Sequence, residues 1–207
     1  MPHYDPNKGA ARADLCRFLA ACYYQPGPEF AEERVFNSIF DAATRIQPDL
    51  AARAQRLGAA FSAEGPESLL VDYTRLFLGP SKAIASPYGS VWMSGENALM
   101  QDSTMAVLAL YHEGGFEVDD DFRELPDHIA AELEFLYLLI YRENQAHRAS
   151  EPESPASVAG LRKRFLNEHL GSWIAPFTAA VKAGARSDFY RELAELTDRF
   201  VKMEMGR

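Results

Sequence analysis

Apolar residues recur at every third or fourth position along most of this chain, which is the spacing that one face of an α-helix requires. In the first such stretch, 11–24, the apolar positions are Leu15, Phe18, Leu19 and Cys22. The same period predicts helices at about 11–24, 29–46, 49–62, 68–79, 96–114, 126–147, 157–183 (which Gly171 or Pro176 could interrupt) and 187–205. No stretch shows the alternation of a β-strand, so the pattern predicts an all-α fold.

Three segments interrupt the helical pattern and are predicted to be loops. The first, 81–96, contains Tyr88 and Trp92 and is too apolar for a solvated linker, so we expect it to be ordered. The second, 116–125, is acidic. The third, 148–157, is rich in serine and proline and is predicted to be a flexible loop.

Composition and charge narrow the class of protein. A chain of 207 residues can bury one substantial core, so we predict a single domain over 1–207, a bundle of about seven or more helices. A net charge of −9 argues against nucleic acid, whose phosphates require basic patches. No stretch has the roughly 18–20 apolar residues of a membrane span. No apolar secretory segment opens the chain, and Cys16 and Cys22 indicate no disulfide framework, so a cytoplasmic protein is expected.

The window ELPDH, residues 124–128, collects acids and an imidazole in a pattern that could indicate chemistry. Pro126 is suited to be the first residue of a helix, which would place Asp127 and His128 in its first turn. The helix dipole there favours an acid and disfavours a charged imidazole, so we expect His128 to be neutral near pH 7. Apolar residues that should face the core follow at helical spacing: Ile129, Leu133, Leu136 and Ile140.

Metal and hydrolase motifs are missing around this window. A di-iron bundle needs Glu-x-x-His, but Leu125 stands three residues before His128, and neither His-Glu-x-x-His nor Gly-x-Ser-x-Gly occurs. We therefore predict no metal, no cofactor and no catalytic residue. A metal-dependent hydrolase that uses Asp127 and His128 is kept as an alternative.

Aromatic residues form the second notable feature. Tyr73 and Phe77 precede the loop that holds Tyr88 and Trp92, and such residues often line grooves for apolar ligands or peptides. An apolar groove next to the acidic loop, which contains Glu124, would suit a peptide with arginines beside an apolar stretch. The plainer interpretation is that Leu76 and Phe77 belong to the core and that the acidic loop is only solvated.

Two short motifs resemble those of a known family. YTRLF (73–77) is similar to the aromatic-x-x-Leu-Phe motif, and ELPDH to the Glu/Pro/Asp/His motif, of the TorD/DmsD/NarJ family of redox-enzyme maturation chaperones. The motifs occur in the expected order, and the likeness covers roughly 70–147. In many members the second motif reads Glu-Pro-x-Asp-His. Here Leu125 separates Glu124 from Pro126, which is more similar to the nitrate-reductase type.

The resemblance implies an all-α cytoplasmic chaperone without turnover. Such proteins bind the twin-arginine signal peptide, or a similar N-terminal leader, of a molybdopterin-containing oxidoreductase subunit and hold it back from export during cofactor insertion. The matched motif positions are Tyr73, Leu76, Phe77, Glu124, Pro126, Asp127 and His128, and Tyr88 and Trp92 complete the predicted peptide-binding site. A helical scaffold without peptide binding is a further alternative, and the chain could be a monomer or a homodimer.

Overall fold

Helices make up nearly all of the regular structure. The computed structural model describes residues 4–28, 30, 34–79, 82–93, 102–118, 124–148 and 154–206. Its helices are α1 (Pro6–Ala21), α2 (Val35–Ile46), α3 (Pro48–Tyr73), α4 (Gly89–Met93), α5 (Asp102–Glu113), α6 (Ile129–Arg148), α7 (Pro155–Phe165), α8 (Gly171–Gly184) and α9 (Asp188–Met205), with π-helical turns at Thr74–Leu78 and Leu166–Leu170. In these ranges β pairing is limited to one isolated bridge, so the predicted all-α class is confirmed.

The helices pack around one cluster of buried apolar side chains. α1 lies against α2 and α6, α3 and α8 lie against α9, and α7 covers α6. The predicted core stripe of α6 (Ile129, Leu133, Leu136 and Ile140) is completely buried. The assignment of 1–207 to one domain stays a prediction. In the described part of the chain, no helix has the length and apolar character needed to cross a bilayer.

Helix α3 joins two segments that the sequence predicts as separate helices. The predicted turn at 64–67 is a kink inside α3, where Gly65 takes φ 71° and ψ 159°. Only glycine adopts this conformation readily, and Pro66 after it lacks an N–H for the helical ladder. The kink leaves Glu64 free to accept from the backbone N–H groups of Asp188 and Phe189 at 2.7 and 3.2 Å, which caps α9.

Helix α6 begins later than the sequence predicts. Pro126 and Asp127 form a turn and the first helical residue is Ile129, so the prediction that Pro126 opens the helix is wrong. The reason is a tertiary contact. Ile129 N–H donates to Pro87 O at 2.8 Å, so the first residue of the helix is tied to a segment that is distant in sequence.

The structure tests two further parts of the predicted helical pattern. α1 begins earlier, at Pro6, because Asp5 accepts from the N–H groups of Asn7 and Lys8 and caps it. The predicted break near Gly171 is a π-helical turn, whereas Pro176 lies inside α8. Most of the predicted flexible loop, at 149–153, lies outside the described residues, as do parts of the helices predicted from 29 and from 96.

Candidate peptide-binding site

The second motif pairs with the aromatic loop through the backbone. Tyr88 and His128 form an antiparallel bridge, and Gly89 N–H donates to Asp127 O at 2.9 Å. Together with the bond from Ile129 to Pro87, this fixes 87–89 beside 127–129. The fold thus brings together two segments that the sequence separates.

Asp127 lies beneath the surface. Its side chain is fully buried, and its Oδ2 accepts from Ser90 N–H at 2.8 Å, at the start of α4. A carboxylate in this position satisfies a free helical N–H, as an N-cap does. The Asp127 carboxylate is therefore not exposed to a guanidinium at the surface, although it belongs to the predicted peptide-binding site.

His128 is a buried, neutral imidazole. Its Nδ1 accepts from Ala130 N–H at 3.2 Å, and its ring lies between Tyr24, stacked at 6.3 Å, and Tyr88, edge-on at 5.4 Å. Burial lowers the pKa of His128 to about 4, although the carboxylates of Glu124 and Asp127 oppose the shift. The neutral state matches the expectation, and burial is its largest cause.

The first motif belongs to the core. Tyr73, Leu76 and Phe77 are buried, and the Phe77 ring lies 5.3 Å from that of Tyr73 and 5.5 Å from that of Tyr190. Leu76 O accepts from Ala85 N–H at 2.9 Å, which ties the π-helical turn to the aromatic loop. The plainer interpretation of Leu76 and Phe77 as core residues is the one that the structure supports.

Four predicted site residues are only partly buried. We call them the aromatic edge: Tyr88, Trp92, Glu124 and Pro126. Tyr88 donates its hydroxyl to Glu124 in a short hydrogen bond, and among the described residues the second oxygen of that carboxylate has no hydrogen-bond partner. Trp92 donates Nε1–H to Ser86 O at 2.9 Å and lies in the short helix α4, not on irregular chain as predicted.

Other acids lie in the acidic loop and on α6. Glu117 is exposed, whereas 119–123, which include the predicted Asp119, Asp120 and Asp121, lie outside the described residues. Glu134 is half-buried and accepts from the Tyr24 hydroxyl at 2.8 Å. Burial raises the pKa of Glu134, and the bond from Tyr24 opposes this shift.

Three buried residues that the sequence analysis missed lie beneath the aromatic edge. We call Glu132, His169 and Trp173 the Glu132 cluster. Trp173 Nε1–H donates to Glu132 Oε2 at 3.2 Å, and His169 Nδ1 lies 2.9 Å from Glu132 Oε1. His128 and Glu132 stand four residues apart, which was a weak signal. His169 and Trp173 belong to a distant segment of the chain, and no sequence pattern relates them to Glu132.

Among the described residues, no group of three or more His, Cys, Asp or Glu side chains is placed to hold a metal ion. The metal-dependent hydrolase alternative therefore gains no support from these residues. A cavity of about 500 Å³ lies between α2 and α3, with Phe30, Phe36 and Phe61 among its lining residues. Neither motif lines it, so the candidate site is an edge and not this cavity.

Known proteins resemble this chain in sequence and in fold. Residues 43–179 match the family described as "Nitrate reductase delta subunit". The chaperone protein TorD of Vibrio parahaemolyticus is 29% identical over 170 residues, which cover 81% of this chain and 71% of that protein. The Tat proofreading chaperone DmsD of Salmonella typhimurium is 28% identical over 185 residues, 89% of this chain and 84% of that one.

A solved structure shows a similar fold. A protein from Archaeoglobus fulgidus, described as a candidate redox enzyme maturation protein, aligns with a TM-score of 0.55 at 21% identity. The alignment covers 92% of this chain and 93% of that one. The named relatives define the class: the protein is a chaperone. The chain belongs to the nitrate reductase delta subunit family, so the predicted TorD/DmsD/NarJ class is confirmed.

Proposed function

We propose that this chaperone binds the N-terminal, twin-arginine-type leader of a molybdopterin-containing oxidoreductase catalytic subunit in the cytoplasm. By holding the leader, it would delay export until the cofactor is inserted and the subunit is assembled. The observation that carries the proposal is the pairing of 87–89 with 127–129, together with the hydrogen bond that joins the partly exposed ring of Tyr88 to Glu124.

The aromatic edge offers two kinds of contact. Tyr88 and Trp92 present amphipathic rings on which the apolar part of a leader can pack. The oxygen of Glu124 that Tyr88 does not engage can accept from a guanidinium, and exposed Glu117 adds negative charge in the same loop. This matches a peptide in which arginines precede an apolar run.

The buried members of the predicted site have a supporting role in this proposal. Tyr73, Leu76 and Phe77 form the floor that carries the aromatic loop, while Asp127 and His128 hold the loop in place. Substituting them should weaken leader binding through displacement of Tyr88 and Trp92.

Calorimetry with a synthetic leader tests the proposal. The peptide carries two consecutive arginines and an apolar tail, and a peptide with two lysines in their place is the control. We expect measurable binding of the arginine peptide, weaker binding of the lysine peptide, and at least a tenfold loss on Trp92→Ala, as for a buried aromatic anchor.

Tyr141→Ala is the matched variant, because Tyr141 is a large exposed aromatic (44%) on α6, outside both motifs. It should bind as wild type does. Absence of binding to any such leader, together with normal cofactor loading of oxidoreductases in a deletion strain, would overturn the proposal.

A further inference from the structure

The Glu132 cluster joins four helices at one buried point. Glu132 belongs to α6 and Trp173 to α8, while His169 Nε2–H donates to Ser103 O of α5 at 2.9 Å. The fourth helix is α4, whose first residue, Gly89, packs directly on the cluster. A Cβ on Gly89 would lie 2.9 Å from Trp173 Nε1 and 3.1 Å from Glu132 Oε1.

The carboxylate holds its neighbours by charge as well as by hydrogen bonding. Nδ1 of His169 lies 2.9 Å from Oε1 of Glu132, which is ion-pair distance. Burial disfavours a charged imidazole, yet the Glu132 carboxylate and the bond to Ser103 O raise the pKa of His169 above its ordinary value. Burial in turn raises the pKa of Glu132, against the opposing effects of His169 and Trp173.

The cluster also connects to Trp92 on the aromatic edge. The Phe177 ring lies 5.3 Å from Trp173 and 6.3 Å from Trp92, both edge-on, so three rings link the cluster to the surface. Asp127 holds the same helix through a separate contact, the hydrogen bond from Ser90 N–H. Both the cluster and the Asp127 cap therefore contact the first two residues of α4.

We propose that Glu132, His169 and Trp173 are positioning residues of the leader-binding site, which act through Gly89 to set the placement of Tyr88 and Trp92. This inference rests on the proposed function as far as the leader is concerned. The placement of α4 itself can be tested without any ligand.

The variants distinguish the loss of the Glu132 side chain from the loss of its charge. Glu132→Ala removes the support. Glu132→Gln keeps the volume and an acceptor for Trp173, and its amide can donate to a neutral His169. Trp173→Phe keeps the ring and removes the Nε1–H donor. The matched control is Glu204→Gln, because Glu204 is another buried, ion-paired acid and lies on α9 away from the edge.

The first readout is the affinity for the arginine leader. We expect Glu132→Ala and Trp173→Phe to bind at least fivefold more weakly, Glu132→Gln to recover most of the loss, and Glu204→Gln to bind as wild type does. Equal weakening by Glu204→Gln, or wild-type affinity in both Glu132→Ala and Trp173→Phe, would overturn the inference. If Glu132→Ala does not fold, Trp173→Phe and Gly89→Ala take its place.

The second readout is NMR of the free protein. The chain has two tryptophans, so two indole N–H signals appear, and Trp92→Phe assigns them. Glu132→Ala should shift the indole signal of Trp92 and the amide signal of Gly89, whereas Glu204→Gln should shift neither. If wild type binds no leader but these signals move, the proposed function fails and the positioning of α4 stands. If the signals do not move, the positioning role fails whatever the leader does.

Discussion

Two groups of buried charge in the described part of the chain differ in how completely they are paired. The first, here called the Glu204 cluster, consists of Arg12, Arg162, Glu143 and Glu204. Arg12 Nε donates to Glu204 Oε1 at 2.7 Å, and Arg162 donates to Glu204 Oε2 at 3.2 Å and to Glu143 Oε2 at 3.0 Å. It joins α1, α6, α7 and α9, and both oxygens of Glu204 have charged partners.

The buried charge beneath the aromatic edge is less well compensated. Asp127 uses one oxygen for Ser90, and its Oδ1 has no partner among the described residues. Oε1 of Glu132 lies 2.9 Å from Nδ1 of His169, but burial disfavours the charged form of both groups. A fully paired group holds one arrangement firmly, whereas an incompletely paired one stores unfavourable energy and tends to occur at functional sites. The comparison indicates that the Glu204 cluster holds its four helices in one arrangement, whereas the residues beneath the aromatic edge can adjust.

Removing Glu204, the centre of the Glu204 cluster, should produce the largest effect on stability. Glu204→Ala leaves Arg12 and Arg162 buried without their shared carboxylate, and we expect the free energy of unfolding to fall by about 3–5 kcal/mol. Urea denaturation measures this. The leader affinity of the folded fraction should not change. A loss below about 1 kcal/mol, within the range of an exposed ion pair, would break the comparison.

Low pH should reduce the stability of the fold through protonation of His128. Its folded-state pKa of about 4 lies below its ordinary value of 6.5, so the unfolded chain binds the extra proton between these pH values. Stability must therefore fall as the pH drops from 6.5 to 4, by up to about 3 kcal/mol.

The matched variant for this test is His128→Asn, which does not titrate and whose Oδ1 can accept from Ala130 as Nδ1 does. Denaturation curves at several pH values should show a smaller acid loss in the variant. Identical pH profiles for the two proteins would show that His128 does not titrate on unfolding in this range.

The cap that Asp127 provides should have a moderate effect. Asp127→Ala is expected to cost about 1 kcal/mol of stability, as the loss of a helix cap does. Because the carboxylate is buried and acts on α4, leader binding should weaken by the same factor at low and high salt. A loss confined to low salt would instead indicate direct pairing with a guanidinium.

The smallest effect is expected at the partly exposed acid. Glu124→Gln should weaken leader binding by about 0.2–1 kcal/mol at low salt and by less at high salt, as for an exposed ion pair. Glu67→Gln, the same charge change at an exposed position of α3, is the control. Comparable losses in both variants would attribute the effect to net charge.

The sequence predicts the helices well and the site only in part. The period of 129–140 identifies the buried stripe of α6 because local spacing determines which helical face is apolar. It cannot show that Ile129 starts the helix, since the bond to Pro87 comes from a distant segment. For the same reason the sequence cannot show that Asp127 is buried, because its partner, Ser90, lies across the bridge.

The Glu132 cluster shows the limit most clearly. Its members are an acid on α6, a histidine in a π-helical turn and a tryptophan on α8, and no local pattern relates them. Tyr88 and Trp92, by contrast, were identifiable because large aromatics between glycine and proline residues need a structural reason to be there.

The π-helical turn at 74–78 has a consequence for how the chain can vary in length. A π-helical turn is equivalent to an α-helix with one inserted residue. Deleting one residue there would restore the α-helical bonding and rotate everything that follows by about 100° around the helix axis. The carbonyl of Leu76 would then no longer accept the hydrogen bond from Ala85 N–H. The chain after the turn would approach the aromatic edge from another direction. One residue of length in this turn thus sets the direction from which the loop reaches the site.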